Sequence, residues 1–294
     1  MSSFINRPFS WIFKEGKMRK AIDYMKTHPI FTGTFGVALA VAAIKALNPD
    51  GKMFLMALLR LVLIFAVSMF IYLISGTKSF EKCHTTTGYE FKWGLLLVIP
   101  AAVISLFFLI SIFSGVLKPV EDWYVRLLGA LCLFFTVGFF EELTFRVLVN
   151  DAMLYKFRNS KHIFALIAII GSFIFGFVHV VDGGMFASPM NFATAMLKTA
   201  STGLAGFCYL ILYWKTRNVV GIALAHGLYD FLTVGIGQIA DKEIQVGGAK
   251  NYVGAGEEGI IFYIADIFVT IIAALILWKK VGKTIDFEEI RKTW

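Results

Sequence analysis

From Trp123 to Val149 the chain reads WYVRLLGALCLFFTVGFFEELTFRVLV. A helix needs about 20 predominantly apolar residues to cross a bilayer. Up to Phe140 this stretch carries one charged residue, Arg126, and then Glu141, Glu142 and Arg146 follow within the same apolar run. A charged group at mid-bilayer costs at least about 2.5–3.5 kcal/mol on insertion scales. The stretch therefore reads as a membrane span, and its three late charges read as functional candidates.

Seven further apolar runs flank it: Phe31–Leu47, Met53–Ser75, Trp93–Leu117, His162–Val181, Phe192–Trp214, Val219–Ala240 and Gly259–Trp278. The expected fold is all-α, a polytopic integral membrane protein built as a bundle of about eight transmembrane helices. Composition agrees, with 58% hydrophobic and 16% charged residues against about 25% charged in a soluble domain. No ten-residue window alternates apolar and polar residues, which excludes a membrane β-barrel. There is no internal repeat and no linker. The expected division is residues 1–30 as a cytoplasmic or interfacial segment, 31–278 as one transmembrane domain, and 279–294 as a cytoplasmic tail.

The formal net charge of +8 would suggest nucleic-acid binding on a soluble protein. Here the basic residues lie between spans and report topology instead. With eight spans, 19 Lys and Arg fall on the side of both termini, four on the other side and five within spans. Both termini are expected in the cytoplasm, with a bacterial plasma membrane as the host and no nucleic-acid partner. No cleavable signal is read in the basic first thirty residues. Phe9, Trp11, Ile12 and Phe13, followed by Lys14, Lys17, Arg19 and Lys20, read equally as an interfacial segment or a solvated tail. Cys83, Cys132 and Cys208 show no metal or redox spacing and read as structural.

Glu142 and Arg146 are four residues apart, share a helix face and can pair. Glu141 lies about 100° away and is left freer, as a general base requires. The fifth span ends in Phe175-Gly176-Phe177-Val178-His179, and the seventh contains His226-Gly227-Leu228-Tyr229-Asp230. His226 and Asp230 are again four apart. A lone intramembrane histidine ordinarily serves as an interhelical hydrogen-bonding residue, and Arg60 and Lys198 read as snorkelling or pairing side chains. Six ionisable residues at membrane depth are a concentration that favours a site.

Glu-Glu-x-x-x-Arg, Phe-x-x-x-His and His-x-x-x-Asp, in that order on successive spans, resemble the CAAX-protease and bacteriocin-processing (CPBP) intramembrane protease family, which includes the type II CAAX prenyl endopeptidases. The motifs cover about ninety residues, from Glu141 to Asp230. The resemblance implies an intramembrane endopeptidase. By it, Glu141 and His179 activate water, His226 and Asp230 stabilise the oxyanion, Glu142 and Arg146 support them, and Phe175 packs alongside. It implies a peptide or protein substrate, lipidated or transmembrane, reached from the bilayer. A metal-free mechanism is favoured by the resemblance; the alternative is a zinc ion held by His179 and His226 with Glu141 or Asp230.

Two positions depart from the family pattern. Asp230 stands where the prenyl endopeptidases typically have Asn, and an ionised carboxylate repels an oxyanion. It must be protonated, orient His226, or ligate a metal. Val147 stands where Gly often follows the arginine. Two other readings stay open: a bacteriocin-immunity or binding protein without hydrolysis, and a proton-coupled transporter, which would need repeats or broken helices in matching halves. Depth poses a further question. His226 lies about 13 Å from Arg217 and His179 about 27 Å from Lys161 at 1.5 Å per residue. A kink, with Gly171 and Gly176 as candidates, or shifted boundaries would let them meet.

Overall fold

The computed structural model describes residues 16–47, 52–81, 87–181, 184–240 and 256–292. The expected interfacial residues Phe9 to Lys14, Cys83, and the turn residues 48–51, 182–183 and 246–248 lie outside the described residues. The elements are α1 (Gly16–Thr27), α2 (Pro29–Ala46), α3 (Met53–Ser75), α4 (Lys78–Glu81), α5 (Thr87–Phe113), α6 (Trp123–Glu141), α7 (Asn150–Phe157), α8 (Ile163–Val178), α9 (Pro189–Thr216), α10 (Val220–Asp230), α11 (Gly256–Lys280) and α12 (Phe287–Lys292). Among the described residues no strand forms, apart from an isolated bridge between Pro119 and Ala240.

Among the described residues seven helical rods are long and apolar enough to cross a membrane, and the protein is an all-α integral membrane protein. Phe65, Phe107, Ile169 and Phe268 lie exposed on its outer face, where lipid rather than water is the partner that accepts them. In the place of the expected fifth span stands a shorter apolar helix, α8, of 16 residues. At 1.5 Å per residue it is about 24 Å long, short of the roughly 30 Å hydrocarbon core. It stops because the chain turns at His179 and Val180; the following helix opens at Ser188, whose side chain caps the Asn191 N–H, with Pro189 in the first turn.

Two rods change hydrogen-bond register in their interiors. Glu142–Val149 and Phe231–Gly235 are π-helical, and each begins one residue after a candidate carboxylate, Glu141 or Asp230. Such stretches are rare and concentrate at functional sites.

α6 continues through its π stretch into α7 as one rod ending at Phe157, eight residues past the expected boundary at Val149. This removes the depth conflict without a kink. Glu141 to Phe157 and Ile163 to His179 both span sixteen residues, about 24 Å, so the chain rises from the site and returns to it over equal distances. The α9–α10 connection sits lower, because Arg217 is tied to Asp151. Ten residues separate Asp151 from Glu141 and nine separate Arg217 from His226, about 15 and 13 Å.

That tie is a dense buried network. Arg217 Nη1 and Nη2 each donate to Asp151 at 2.9 Å. Ser79, Asn150 and Tyr213 donate to the same carboxylate at 2.6, 2.7 and 3.1 Å. Trp214 Nε1 donates to Asn150 Oδ1 at 2.8 Å. Arg217 caps α9 in the left-handed region, φ 56°, a conformation a non-glycine residue adopts at a cost that its bidentate ion pair offsets.

Two crossings bring the site-bearing helices together. A Cβ at Gly138 would meet the Ala223 carbonyl at 2.5 Å, and one at Gly227 would meet Phe135 Cα at 2.8 Å. The α6 and α10 backbones thus touch just beside Glu141 and His226. At the other crossing, a Cβ at Gly176 would collide with the Thr199 carbonyl, so this glycine lets α8 lie against α9 instead of permitting a bend. Gly176→Ala is expected to destabilise the fold by about 1–3 kcal/mol through overpacking and to displace His179. Gly171→Ala meets only Ile167 at 3.9 Å and should be close to neutral. Thermal unfolding in detergent checks both; equal melting temperatures would contradict the stated packing.

Candidate active site

The two pairs expected from helical spacing form, and the pair implied by the resemblance, Glu141 with His179, also meets. Glu142 Oε2 lies 3.2 Å from Arg146 Nε, and His226 Nε2 lies 3.6 Å from Asp230 Oδ2. His179 Nε2, at the end of α8, lies 3.4 Å from Glu141 Oε2. A fourth contact joins the pairs: His226 Nδ1 lies 2.8 Å from Glu142 Oε1. His226 Nε2 then faces Glu141 Oε2 at 3.8 Å.

Depth separates these residues into two layers. Glu142 and Arg146 are closed off, with side-chain exposures of 0% and 2%. Glu141, His179 and Asp230 are 17%, 22% and 21% exposed, so they border a partly exposed cleft above the buried layer, with the Glu141 Oε2 atom itself buried. Phe175 is the divider. The Arg146 guanidinium stacks on its face at 4.2 Å, and its edge meets the His179 and His226 rings at 4.8 and 6.0 Å.

Hydrogen-bond partners set the two imidazoles. The Phe175 carbonyl can only accept, so His179 Nδ1, at 2.6 Å, carries the proton. The Glu142 carboxylate, paired with Arg146, accepts in the same way at 2.8 Å, so His226 Nδ1 carries a proton as well. His179 Nε2 and His226 Nε2 both face Glu141 Oε2, at 3.4 and 3.8 Å.

The spacing can be compared with that of a zinc site, where His179 and Glu141, 3.4 Å apart, come close to the ligand separation. Ligands about 2.0–2.1 Å from a tetrahedral zinc lie roughly 3.3 Å apart, whereas two of the contacts are 3.6 and 3.8 Å. Among the described residues no three His, Cys, Asp or Glu side chains are arranged to hold a metal ion.

Three residues given no site role by the sequence belong to this neighbourhood. Tyr209, on α9, stacks on His226 with centroids 5.2 Å apart and planes 19° from parallel. Arg60, on α3, lies over the Phe140 ring at 5.5 Å, and its charge acts on Glu141. Lys198, buried on α9, acts on Asp230. Asp266, an unremarked carboxylate of α11, accepts from Ser201. The sequence carried a signal for the three charged residues, since each is an ionisable group inside an apolar run. It carried none for Tyr209 in a chain with 10 Tyr and 30 Phe.

No curated protein and no solved structure gives a significant match to the chain. Residues 122–232, the segment that holds every motif from Glu141 to Asp230, match the family model described as type II CAAX prenyl endopeptidase Rce1-like, a protease family.

Proposed function

We propose that this protein is an intramembrane endopeptidase that hydrolyses a peptide bond in a membrane-associated or lipidated chain, using water activated by Glu141 and His179 without a metal. The observation that carries this reading is Glu141 Oε2, buried and without a hydrogen-bond partner among the described residues, facing His179 Nε2 at 3.4 Å and His226 Nε2 at 3.8 Å. Glu141 takes a proton from water as the water oxygen attacks the scissile carbonyl carbon. That proton passes to the departing amine nitrogen as the C–N bond breaks. Charge develops meanwhile on the carbonyl oxygen. To donate to it through Nε2 while Nδ1–H stays on Glu142, His226 has to carry both protons, and Glu142 on one side and Asp230 on the other favour that cation. Each donor lost from such a site typically costs about 3–4 kcal/mol.

The cleft lies about 13–15 Å from the Arg217–Asp151 rim at 1.5 Å per residue. The host expected is a bacterial plasma membrane with both termini in the cytoplasm, as the basic-residue asymmetry favours.

The test compares protein N-termini in membranes that contain the wild-type protein or His179→Ala at matched abundance. New N-termini dependent on His179 are expected. None above background would overturn the protease reading in favour of a binding or immunity role. Cleavage of the resulting substrate should survive exhaustive chelation; loss that zinc restores would replace water activation by Glu141 alone with metal chemistry.

A further inference from the structure

α9 presents two different faces. One turns to the candidate site: a Cβ at Gly206 would meet Phe175 and the Arg146 guanidinium, and Tyr209 stacks on His226. The other packs against α11 and leaves a gap. Leu204 and Phe207 of α9 and Ile271, Ala274, Leu275 and Trp278 of α11 line a groove of about 270 Å³ with no polar surface. Ala274, the smallest side chain in the lining, is buried, whereas Ile271, Leu275 and Trp278 are exposed. The groove therefore opens on the outer face of the bundle, towards lipid. About one turn deeper the two helices are pinned by the hydrogen bond from Ser201 to Asp266. Trp278 stands near the end of α11, and indole rings favour the level of the lipid headgroups. Ile271 lies seven residues, about 10 Å, deeper, within half of the roughly 30 Å hydrocarbon core.

Positive charge gathers at the Trp278 end of this groove. Lys279 and Lys280 complete the last turn of α11 directly after Trp278. The chain then folds back over the indole: a Cβ at Gly282 would meet the Trp278 ring at 2.5 Å, and Lys283 follows in the same short turn, Gly282–Thr284. Lys215 of α9 ties that turn down by donating to the Thr284 carbonyl at 2.8 Å. Lys279, Lys280 and Lys283 are exposed, and none forms an ion pair with another described residue. Of the acids that follow, Asp286 accepts from the Glu289 N–H, Glu288 pairs with Arg291, and Glu289 belongs to α12, so the carboxylates fall beyond the turn that covers the indole.

An apolar slot beneath a group of unpaired ammonium ions matches a molecule with a hydrocarbon chain and an anionic head. We infer that the groove between α9 and α11 binds an anionic phospholipid, with one acyl chain lying from Trp278 towards Ile271 and the phosphate held by Lys279, Lys280 and Lys283. Basic residues beside a groove between membrane helices are a recurrent form of lipid-headgroup site. The site needs no assumption about catalysis and stands or falls apart from the endopeptidase reading.

The test is contact quenching of Trp278 in bilayers. The full chain is reconstituted into phosphatidylcholine vesicles that carry a minor fraction of phospholipid brominated on its acyl chains, either phosphatidylglycerol or phosphatidylcholine. The fluorescence lost in Trp278→Phe isolates its signal from the rest of the six tryptophans. Brominated phosphatidylglycerol should quench with an apparent affinity at least about fivefold above that of brominated phosphatidylcholine, the share of a single lysine near a phosphate. Replacing Lys279, Lys280 and Lys283 together by Gln should bring the two lipids level, and replacing them by Arg should keep the preference. Ala274→Leu should abolish the preference by filling the groove; if that variant does not fold, Leu275→Phe, at an exposed position, narrows the same groove. Equal quenching by the two lipids in the wild type would mean an annular layer without a site and overturns the proposal. A preference that survives loss of the lysines or filling of the groove overturns it as well. Quenching by neither lipid would mean that another occupant, such as a second copy of the chain, covers the groove, and it too overturns the lipid site.

Discussion

Glu141→Gln is expected to lower turnover by about 10²–10⁴-fold, the usual contribution of a general base, while leaving the fold intact. The amide has the shape of the carboxylate and cannot take a proton from water. It also brings two N–H donors to a point faced by His179 Nε2 at 3.4 Å and His226 Nε2 at 3.8 Å, so the variant should melt at or above the wild-type temperature. Glu142→Gln provides the contrast. Glu142 has no exposure and holds both Arg146 and His226, so its replacement leaves a buried guanidinium without a counter-charge. It should lose stability as well as turnover. Cleavage rates and thermal unfolding of the two variants separate the roles. Wild-type turnover in Glu141→Gln would remove Glu141 from the chemistry.

The second large effect lies away from the cleft. Arg217→Ala is expected to cost about 3–5 kcal/mol, the range for breaking a buried ion pair from one side. Asp151, 1% exposed at its side chain, would keep its hydrogen bonds from Ser79, Asn150 and Tyr213 but lose its cation. The left-handed cap at position 217 would lose the bond that holds it. Catalysis per folded molecule should change little, because about 13 Å of helix separates Arg217 from His226. Unfolding by denaturant and turnover normalised to folded protein measure the two quantities. A normal stability would show that the Asp151 network is dispensable, and a proportionate fall in both would show that the rim and the cleft are one unit.

Sequence reasoning located the charged residues well because each violates a strong rule: an ionisable group in an apolar run needs a reason. The four-residue spacings then gave Glu142 with Arg146 and His226 with Asp230, since the helix itself brings those partners together. What failed was anything set between helices. The bond from Glu142 to His226 crosses 84 positions of sequence, and no local period encodes it. The π stretches have no compositional mark. Asp151 and Arg217 fall between expected spans, where solvation is the simple explanation, and only the fold shows that four side chains close over them. Arg60 and Lys198 were set aside as snorkelling, although the depth arithmetic that placed His226 also places Lys198 too far from an end. The depth conflict itself was informative: Arg217 does not sit level with Lys161, because its pairing with Asp151 holds the α9–α10 connection lower.

Hydrolysis consumes water, and the middle of a bilayer holds almost none. The short α8 bears on that supply. A helix roughly 6 Å shorter than the hydrocarbon core forces the lipid beside it to thin, or leaves its end to be hydrated, and His179 stands at that end. The backbone groups of the turn after it cannot all be satisfied by helix, so they favour ordered water where lipid would leave them bare. On the endopeptidase reading, the truncation is expected to act as a hydration port, delivering the reactant to the one imidazole that ends a helix instead of sitting within it. Lengthening α8 by a turn of leucines after Val178 would keep the span hydrophobic and dry the cleft.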